Sequence, residues 1–413
     1  VLVYNKFLKG SFNSIVDNSI NSGLFDSIKY CTRCCFPSTT EGITFDSLGI
    51  CNVCRSSENK MRIEWKQRGE DLRRILNEAK ENSGDNYDCV LPISGGKDSF
   101  YQAHILTKVY NLNPLAVTFS HNWYSETGFY NLQLCLETFN LDHIQFTPAR
   151  KTVNNLARKS LSLIGDSCWH CHTGVGAFPL QVAVMYKIPL LVWGESINEA
   201  DGRSTYSCPT LKFDRDYFTK VSGRYTAEEI SDKDTPLNRL QGFRLPSYAE
   251  IENTGVWGIH LGDYIFWDDE RQTEFIIKEY GWKETQMEGT YKRYKSAECI
   301  MSGMHDFTCY LKRGFGRSTW QASVDVRNGI LTREEAMELI KEYDTTEPQV
   351  LDYYLDITGI NKEEFIKILE EKRLDELVGK EFNIRKNPYP NEEKLVPFVQ
   401  QIIQKHSPKK NKI

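Results

Sequence analysis

Six consecutive residues, Ser94-Gly95-Gly96-Lys97-Asp98-Ser99, hold the densest chemistry in the chain. They follow a short apolar run, Cys89-Val90-Leu91-Pro92-Ile93, and precede a segment with the apolar spacing of a helix. A glycine bend between a buried strand and a helix lets backbone N–H groups approach an anion, and the helix N-terminus adds positive potential. Lys97 supplies a full charge, and the hydroxyls of Ser94 and Ser99 can donate to phosphate oxygens. Asp98, an acid placed among anions, suits the orientation of Mg2+ or of the loop itself. No glycine stands at the Walker A distance before Gly96-Lys97, so this is a phosphate loop of another kind.

The run resembles the PP-loop, SGGxDS, of the ATP-pyrophosphatase superfamily. That resemblance implies that the bend holds the pyrophosphate end of ATP, that cleavage falls between the α and β phosphates, and that a substrate oxygen receives AMP. It makes residues Ser94, Gly95, Gly96, Lys97, Asp98 and Ser99 ATP contacts, with Lys97 and Asp98 catalytic. Val117-Thr118-Phe119 and Trp193-Gly194-Glu195-Ser196 end two further apolar runs. Ligands of open parallel sheets gather at the carboxyl ends of strands. Thr118, Gly194 and Glu195 are therefore candidate adenosine contacts, with a ligand-free loop as the alternative for each.

The cysteines form two constellations. Cys31-x-x-Cys34 and Cys51-x-x-Cys54 are separated by sixteen residues that include Gly42 and Gly49. Two such knuckles place four thiolates in a tetrahedron, the spacing of structural zinc. A site closed by four protein ligands stabilises its module and does no chemistry; Cys35 is left unligated. The second constellation is Cys168-Trp169-His170-Cys171-His172-Thr173-Gly174, with Cys208 later and Cys299 far along the chain. Cys168, Cys171 and Cys299 together would hold a [4Fe–4S] cluster with one open iron, or a catalytic-type zinc. The alternative is a redox-inert pair packed near the phosphate loop.

These residues need elements to position them. Residues 61–83 carry apolar residues at helical spacing and predict a connecting helix. An α/β rhythm starts at Tyr87: strands at residues 89–93, 115–119, 143–146 and 188–193, a helix through residues 100–110, and a helix-like segment at 175–186. Strands separated by helix-length segments imply a parallel sheet with right-handed crossovers. Residues 205–300 give no confident assignment. Thr332-Arg333-Glu334-Glu335 and Asn361-Lys362-Glu363-Glu364 are capping-box starts, so the end of the chain is expected to be helical before a basic polar tail. The expected organisation is an α/β fold: a zinc-ribbon module in residues 1–60, a connecting helix at 61–86, and an adenine nucleotide α-hydrolase-like ATP-binding domain at 87–205. Residues 206–330 complete that domain for substrate, and 331–413 form a helical region with the tail.

A chain of 413 residues has room for one large α/β domain and smaller modules. Its net charge of −5, with both signs interspersed, gives no electrostatic case for a nucleic-acid partner. No apolar run reaches bilayer length. The first residues lack the charged–apolar–small order of a signal peptide, and the chain starts with Val, as a processed or shortened start would. A cytoplasmic location is expected, where metal ligation is the better default for twelve cysteines than disulfides.

The knuckles, SGGKDS, CWHCHTG, and the stretch Lys312-Arg313-Gly314-Phe315-Gly316-Arg317 leading to Asp325-Val326-Arg327-Asn328-Gly329 together resemble the N-acetyl sugar amidotransferases of surface-polysaccharide and flagellin-glycan biosynthesis, including the pseudaminic-acid type and O-antigen relatives. The similarity runs from about residue 28 to residue 345. It implies ATP-dependent conversion of an acetamido sugar, free or nucleotide-linked, into an acetamidino sugar, with ATP, Mg2+ and Zn2+ as cofactors. It also implies a separate glutaminase supplying ammonia, since the chain has neither a Gly-x-Cys-x-Gly elbow nor an N-terminal cysteine. Lys312, Arg313 and Arg317 are candidates for a sugar carboxylate or nucleotide phosphate, Arg being suited to bidentate anion recognition; a solvated basic face is the alternative. Two other readings stand beside this one. A PP-loop tRNA sulfurtransferase would use the same adenylation beside a three-cysteine cluster, and a zinc-ribbon scaffold would need no catalysis.

Overall fold

Five parallel strands, β1 (Cys89–Pro92), β2 (Pro114–Phe119), β3 (His143–Phe146), β4 (Leu190–Trp193) and β5 (Trp257–His260), pair in the order β3-β2-β1-β4-β5. The computed structural model describes residues 23–199, 202–206, 212–217, 223–388 and 391–406. Cys208, residues 1–22 of the expected N-terminal module and the last residues of the basic tail lie outside these. Every residue of β1 and β2 is buried, as expected of strands covered on both faces. Strand order reverses between β1 and β4, which opens a crevice at their carboxyl ends.

The helices used below are α1 (Asn52–Lys60), α2 (Trp65–Ser83), α3 (Lys97–His104), α4 (Glu126–Phe139), α5 (Arg150–Ile164), α6 (Trp169–Tyr186), α7 (Asp269–Tyr280), α8 (Ser302–Arg313), α9 (Arg317–Arg327), α10 (Arg333–Tyr343), α11 (Val350–Thr358) and α12 (Lys362–Glu371). The connecting helix α2 and four of the strands fall where the sequence places them. The helix after the 94–99 bend is α-helical only to His104 and finishes in a π-turn over Ile105–Val109. The segment expected from residue 175 starts earlier, at Trp169, so the CWHCHTG run is the first turns of α6. Gly174 does not interrupt it. A Cβ there would lie 2.3 Å from the Phe119 ring, so the glycine lets the helix press onto β2. Strand β5 lies inside the unassigned stretch. It is four residues long, and Phe213 covers Gly258 where a Cβ would stand 2.0 Å from the ring.

Thr332 and Glu335 form the reciprocal capping box at α10. At α12, Asn361 accepts from the Glu364 N–H, but the return bond is missing. Two boxes that the sequence reading passed over start short helices, at Thr226/Glu229 and Ser247/Glu250. The C-terminal helices do not stand apart: Val350, Leu351 and Tyr354 of α11 and Phe365 and Leu369 of α12 share one core with Val153, Ala157 and Leu161 of α5 and with Phe307 of α8. Tyr354 anchors it by donating to Ala157 O at 2.9 Å.

Candidate functional site

The 94–99 bend lies at the strand reversal, between the end of β1 and the start of α3. Gly95 has φ +88°, and a Cβ on it would sit 2.5 Å from Gly128 O and 2.9 Å from Leu132 N of α4. Only glycine fits a left-handed backbone pressed against another backbone. The bend is braced from inside. Ser94 N donates to Ser99 Oγ at 3.3 Å, Gly96 N to Ser94 Oγ at 3.2 Å, and Ser99 Oγ to Gly96 O at 3.0 Å. Trp282 Nε1 donates to Gly95 O at 3.1 Å.

A cavity of about 390 Å³ opens above the bend. Ser94, Asp98 and Ser99 line it, with Val117 and Phe119 from β2, and Gly194 and Glu195 after β4. Glu298 and Arg317 close it from the C-terminal side. Thr118 is not in that wall. It is buried, its hydroxyl donates to Ile93 O at 2.8 Å, and His143 Nε2 lies 2.8 Å from it. Its two neighbours face the cavity in its place, as strand alternation requires.

Lys97 is buried and does not line the cavity. Its ammonium pairs with Asp98 and, at 2.9 Å, with Asp269 at the start of α7; Lys295 pairs with the other oxygen of Asp269. Burial works against the charge on Lys97, but Asp269, Asp98 and Glu195 outweigh it and hold the ammonium well above its ordinary range. Desolvation at the cavity wall, with Asp269 and Asp98 adding to it and Lys295 and Lys97 opposing, raises Glu195, although its side chain keeps an exposed face. Burial also raises Glu298, whose Oε2 would lie 3.3 Å from a Cβ on Gly96. His121 and His260 line the same cavity, and burial pushes each down to about 4, so both are neutral near pH 7. His121 Nδ1 accepts from Trp123 N at 3.1 Å and His260 Nδ1 donates to Glu195 O at 2.8 Å. Each Nε2 is buried with no partner among the described residues.

Two further cavities adjoin. One of about 370 Å³ shares Glu195 and Arg317 with the first and is walled by Trp267, Tyr294 and Trp320 together with Lys60, Lys292 and Lys295. The other, about 220 Å³, shares His172 and His305 with the first and contains Lys312 and Arg313. The three expected anion-binding residues are thus divided. Arg317 stands between the two larger cavities, its Nε on Asp306 at 2.6 Å. Lys312 donates to Ile164 O at 2.9 Å, and Arg313 pairs with Glu41 at 2.6 Å.

The first cysteine constellation is assembled. All four side chains are buried, with Cys31 Sγ 3.9 Å from Cys54 Sγ and Cys34 Sγ 3.7 Å from Cys51 Sγ. A tetrahedral ion with metal–sulfur bonds of about 2.3 Å sets its sulfurs roughly 3.8 Å apart, so the pocket fits zinc. Backbone N–H groups of Arg33, Cys34 and Cys51 donate to Cys31 Sγ, and Cys54 N to Cys51 Sγ. Four thiolates this close repel one another and need a cation among them. Trp320 and Val326 of α9 pack on the module, and Arg333 Nε donates to Cys31 O and Cys34 O, both at 3.1 Å. Cys35 is buried apart from the four, its N–H on Ser323 Oγ.

Cys168, Cys171 and Cys299 line the 390 Å³ cavity together. Their sulfurs do not form a group as tight as the four-cysteine set; the second tight group among the described residues is Asp166, His172 and His305. Thiolates around a cubane cluster stand farther apart than those around one ion, so the arrangement speaks against a three-thiolate zinc site.

Comparison with known proteins bears on this wall of the site. Residues 288–396 match the family model described as LPS biosynthesis protein WbpG-like, C-terminal domain. That segment, about a quarter of the chain, is similar to a WbpG-like C-terminal domain. The match supports the O-antigen/LPS type of N-acetyl sugar amidotransferase family, in agreement with the resemblance carried by the motifs. A search of curated proteins found no match. The WbpG-like segment runs past residue 345, through helices in which the sequence reading found nothing specific. It supplies Glu298, Cys299, His305 and Arg317 to the cavity. Glu298 sits in the Ala297-Glu298-Cys299-Ile300 stretch singled out only for its cysteine. Asp269, Lys295, Asp166 and His305 carried no local motif. Among the described residues, no helix is long and apolar enough to cross a membrane.

Proposed function

We propose that the protein is an ATP-dependent, AMP-forming enzyme of lipopolysaccharide biosynthesis that converts the acetamido group of an N-acetylated sugar or nucleotide sugar into an acetamidino group. The observation that carries the reading is the braced 94–99 bend of PP-loop type, set at the strand reversal and opening into a cavity flanked by Asp98, Glu195 and Glu298. An incoming triphosphate replaces the Ser94 and Ser99 hydroxyls as acceptor for the loop amides, and Lys97, packed behind the bend, swings its ammonium off Asp98 to reach a phosphate oxygen. Asp98 is the loop residue suited to hold Mg2+, which supplies charge neutralisation to the phosphates.

The acetamide oxygen attacks the α-phosphorus and pyrophosphate leaves, its developing charge met by Lys97 and the loop N–H groups. Ammonia adds to the resulting imidate carbon. AMP departs with the former amide oxygen, a proton is lost, and an amidine remains. Glu298, lining the cavity beside the bend, is the carboxylate best placed to accept that proton. The adjoining cavity, with Trp267, Tyr294 and Trp320 among lysines, offers aromatic faces for a sugar ring and cations for an anionic carrier. Ammonia is proposed to come from a separate glutaminase.

One observation favours the sulfur-transfer alternative: three cysteines share the ATP-side cavity. Turnover with N-acetyl nucleotide sugars and ammonium, using heavy oxygen in the acetamido carbonyl, separates the two. The amidination reading expects the label in AMP and an amidine in the sugar. Sulfur incorporation into RNA, or AMP without label, would sink it.

A further inference from the structure

We propose that Asp166, His172 and His305 bind a divalent transition-metal ion of the zinc or ferrous class, at the wall between the ATP-side cavity and the small cavity beside it. The three residues come from separate elements: the turn before α6, the first turns of α6, and the first turn of α8. Asp166 Oδ2 lies 3.8 Å from His172 Nδ1 and 3.9 Å from His305 Nε2. Both separations are too long for hydrogen bonds, yet one ligand atom from each residue falls within 4.8 Å of the others. Three ligands at one point without direct bonds among them leave room for an ion that all three can reach.

Two of the three groups, His305 and Asp166, are already held on their outward sides. His305 Nδ1 is 3.1 Å from Asp306 Oδ1, and Asp306 Oδ2 accepts from Arg317 Nε at 2.6 Å. Asp166 Oδ1 accepts from Cys168 N at 2.7 Å. A carboxylate behind a histidine, turning its other nitrogen toward a common centre, is the outer support that metal-ligating imidazoles use. Two imidazoles and one carboxylate suit zinc or ferrous iron over Mg2+ or Ca2+, which take oxygen ligands. The side chains keep 17–30% exposure and face the 220 Å³ cavity, so further coordination positions are open to solvent or a ligand. The proposal stands on these contacts and not on the amidation reading.

The test is Co2+ titration of metal-stripped, full-length protein. Two equivalents are expected: one with intense thiolate charge-transfer absorption from the four-cysteine site, and one without any sulfur band. His172→Gln and, separately, His305→Gln should lose the second equivalent and keep the first, whose sulfur band reports that each variant has folded. Asp306→Asn, a positioning change, should weaken the second site by about 10–100-fold. A wild-type stoichiometry of one overturns the proposal. So does a second equivalent that survives both histidine variants, or one that carries a sulfur band and vanishes in Cys171→Ser.

Discussion

Lys97 meets two carboxylates before any nucleotide arrives, and that sets what its removal does. In Lys97→Ala, Asp98 loses its cation while Asp269 keeps Lys295. One stranded, partly buried carboxylate costs about 1–3 kcal/mol, so the variant should fold with a lowered melting temperature. AMP release should fall by about 10²–10³, the usual loss for a preorganised group facing developing charge. Normal turnover would remove the phosphate-loop assignment. Glu195 allows a pH test at the same scale. Its setting at the cavity wall raises it toward neutrality, so it takes up a proton more readily than a free carboxylate as pH falls. Uptake of that proton removes a negative charge beside the polyphosphate site, and ATP should bind tighter as pH falls. Glu195→Gln should flatten the dependence in a calorimetric titration; an unchanged slope would clear Glu195 of the role.

Elements show what a sequence reveals and what it hides. The four zinc-type ligands were legible because each knuckle is local, its geometry encoded in three consecutive steps of chain. The 94–99 bend was legible for the same reason: strand, glycines and helix follow one another. Glu298 reaches Gly96 from about two hundred residues away, and nothing near either residue announces the meeting. Asp166 meets His305 in the same manner. Thr118 lies one step of strand alternation away from the cavity wall, and β5 escaped because four residues containing a glycine and a histidine make no periodic signal. The cysteine module also reaches beyond itself: Phe36 and Lys60 wall the aromatic cavity, and α9 lies against the thiols. Zinc chelation or Cys31→Ser should therefore lower both melting temperature and turnover. A variant without zinc that melts and turns over as wild type would show the module to be dispensable.

At the scale of the molecule, the cavities are built by parts of the chain that never adjoin in sequence. The bend and Glu195 precede residue 288, whereas Glu298, His305 and Arg317 belong to the WbpG-like segment. The same segment gives Phe307, Tyr354 and Phe365 to a core completed by α5. A chain cut just ahead of residue 288 would thus leave each piece with part of the cavity wall and an apolar seam stripped of its cover.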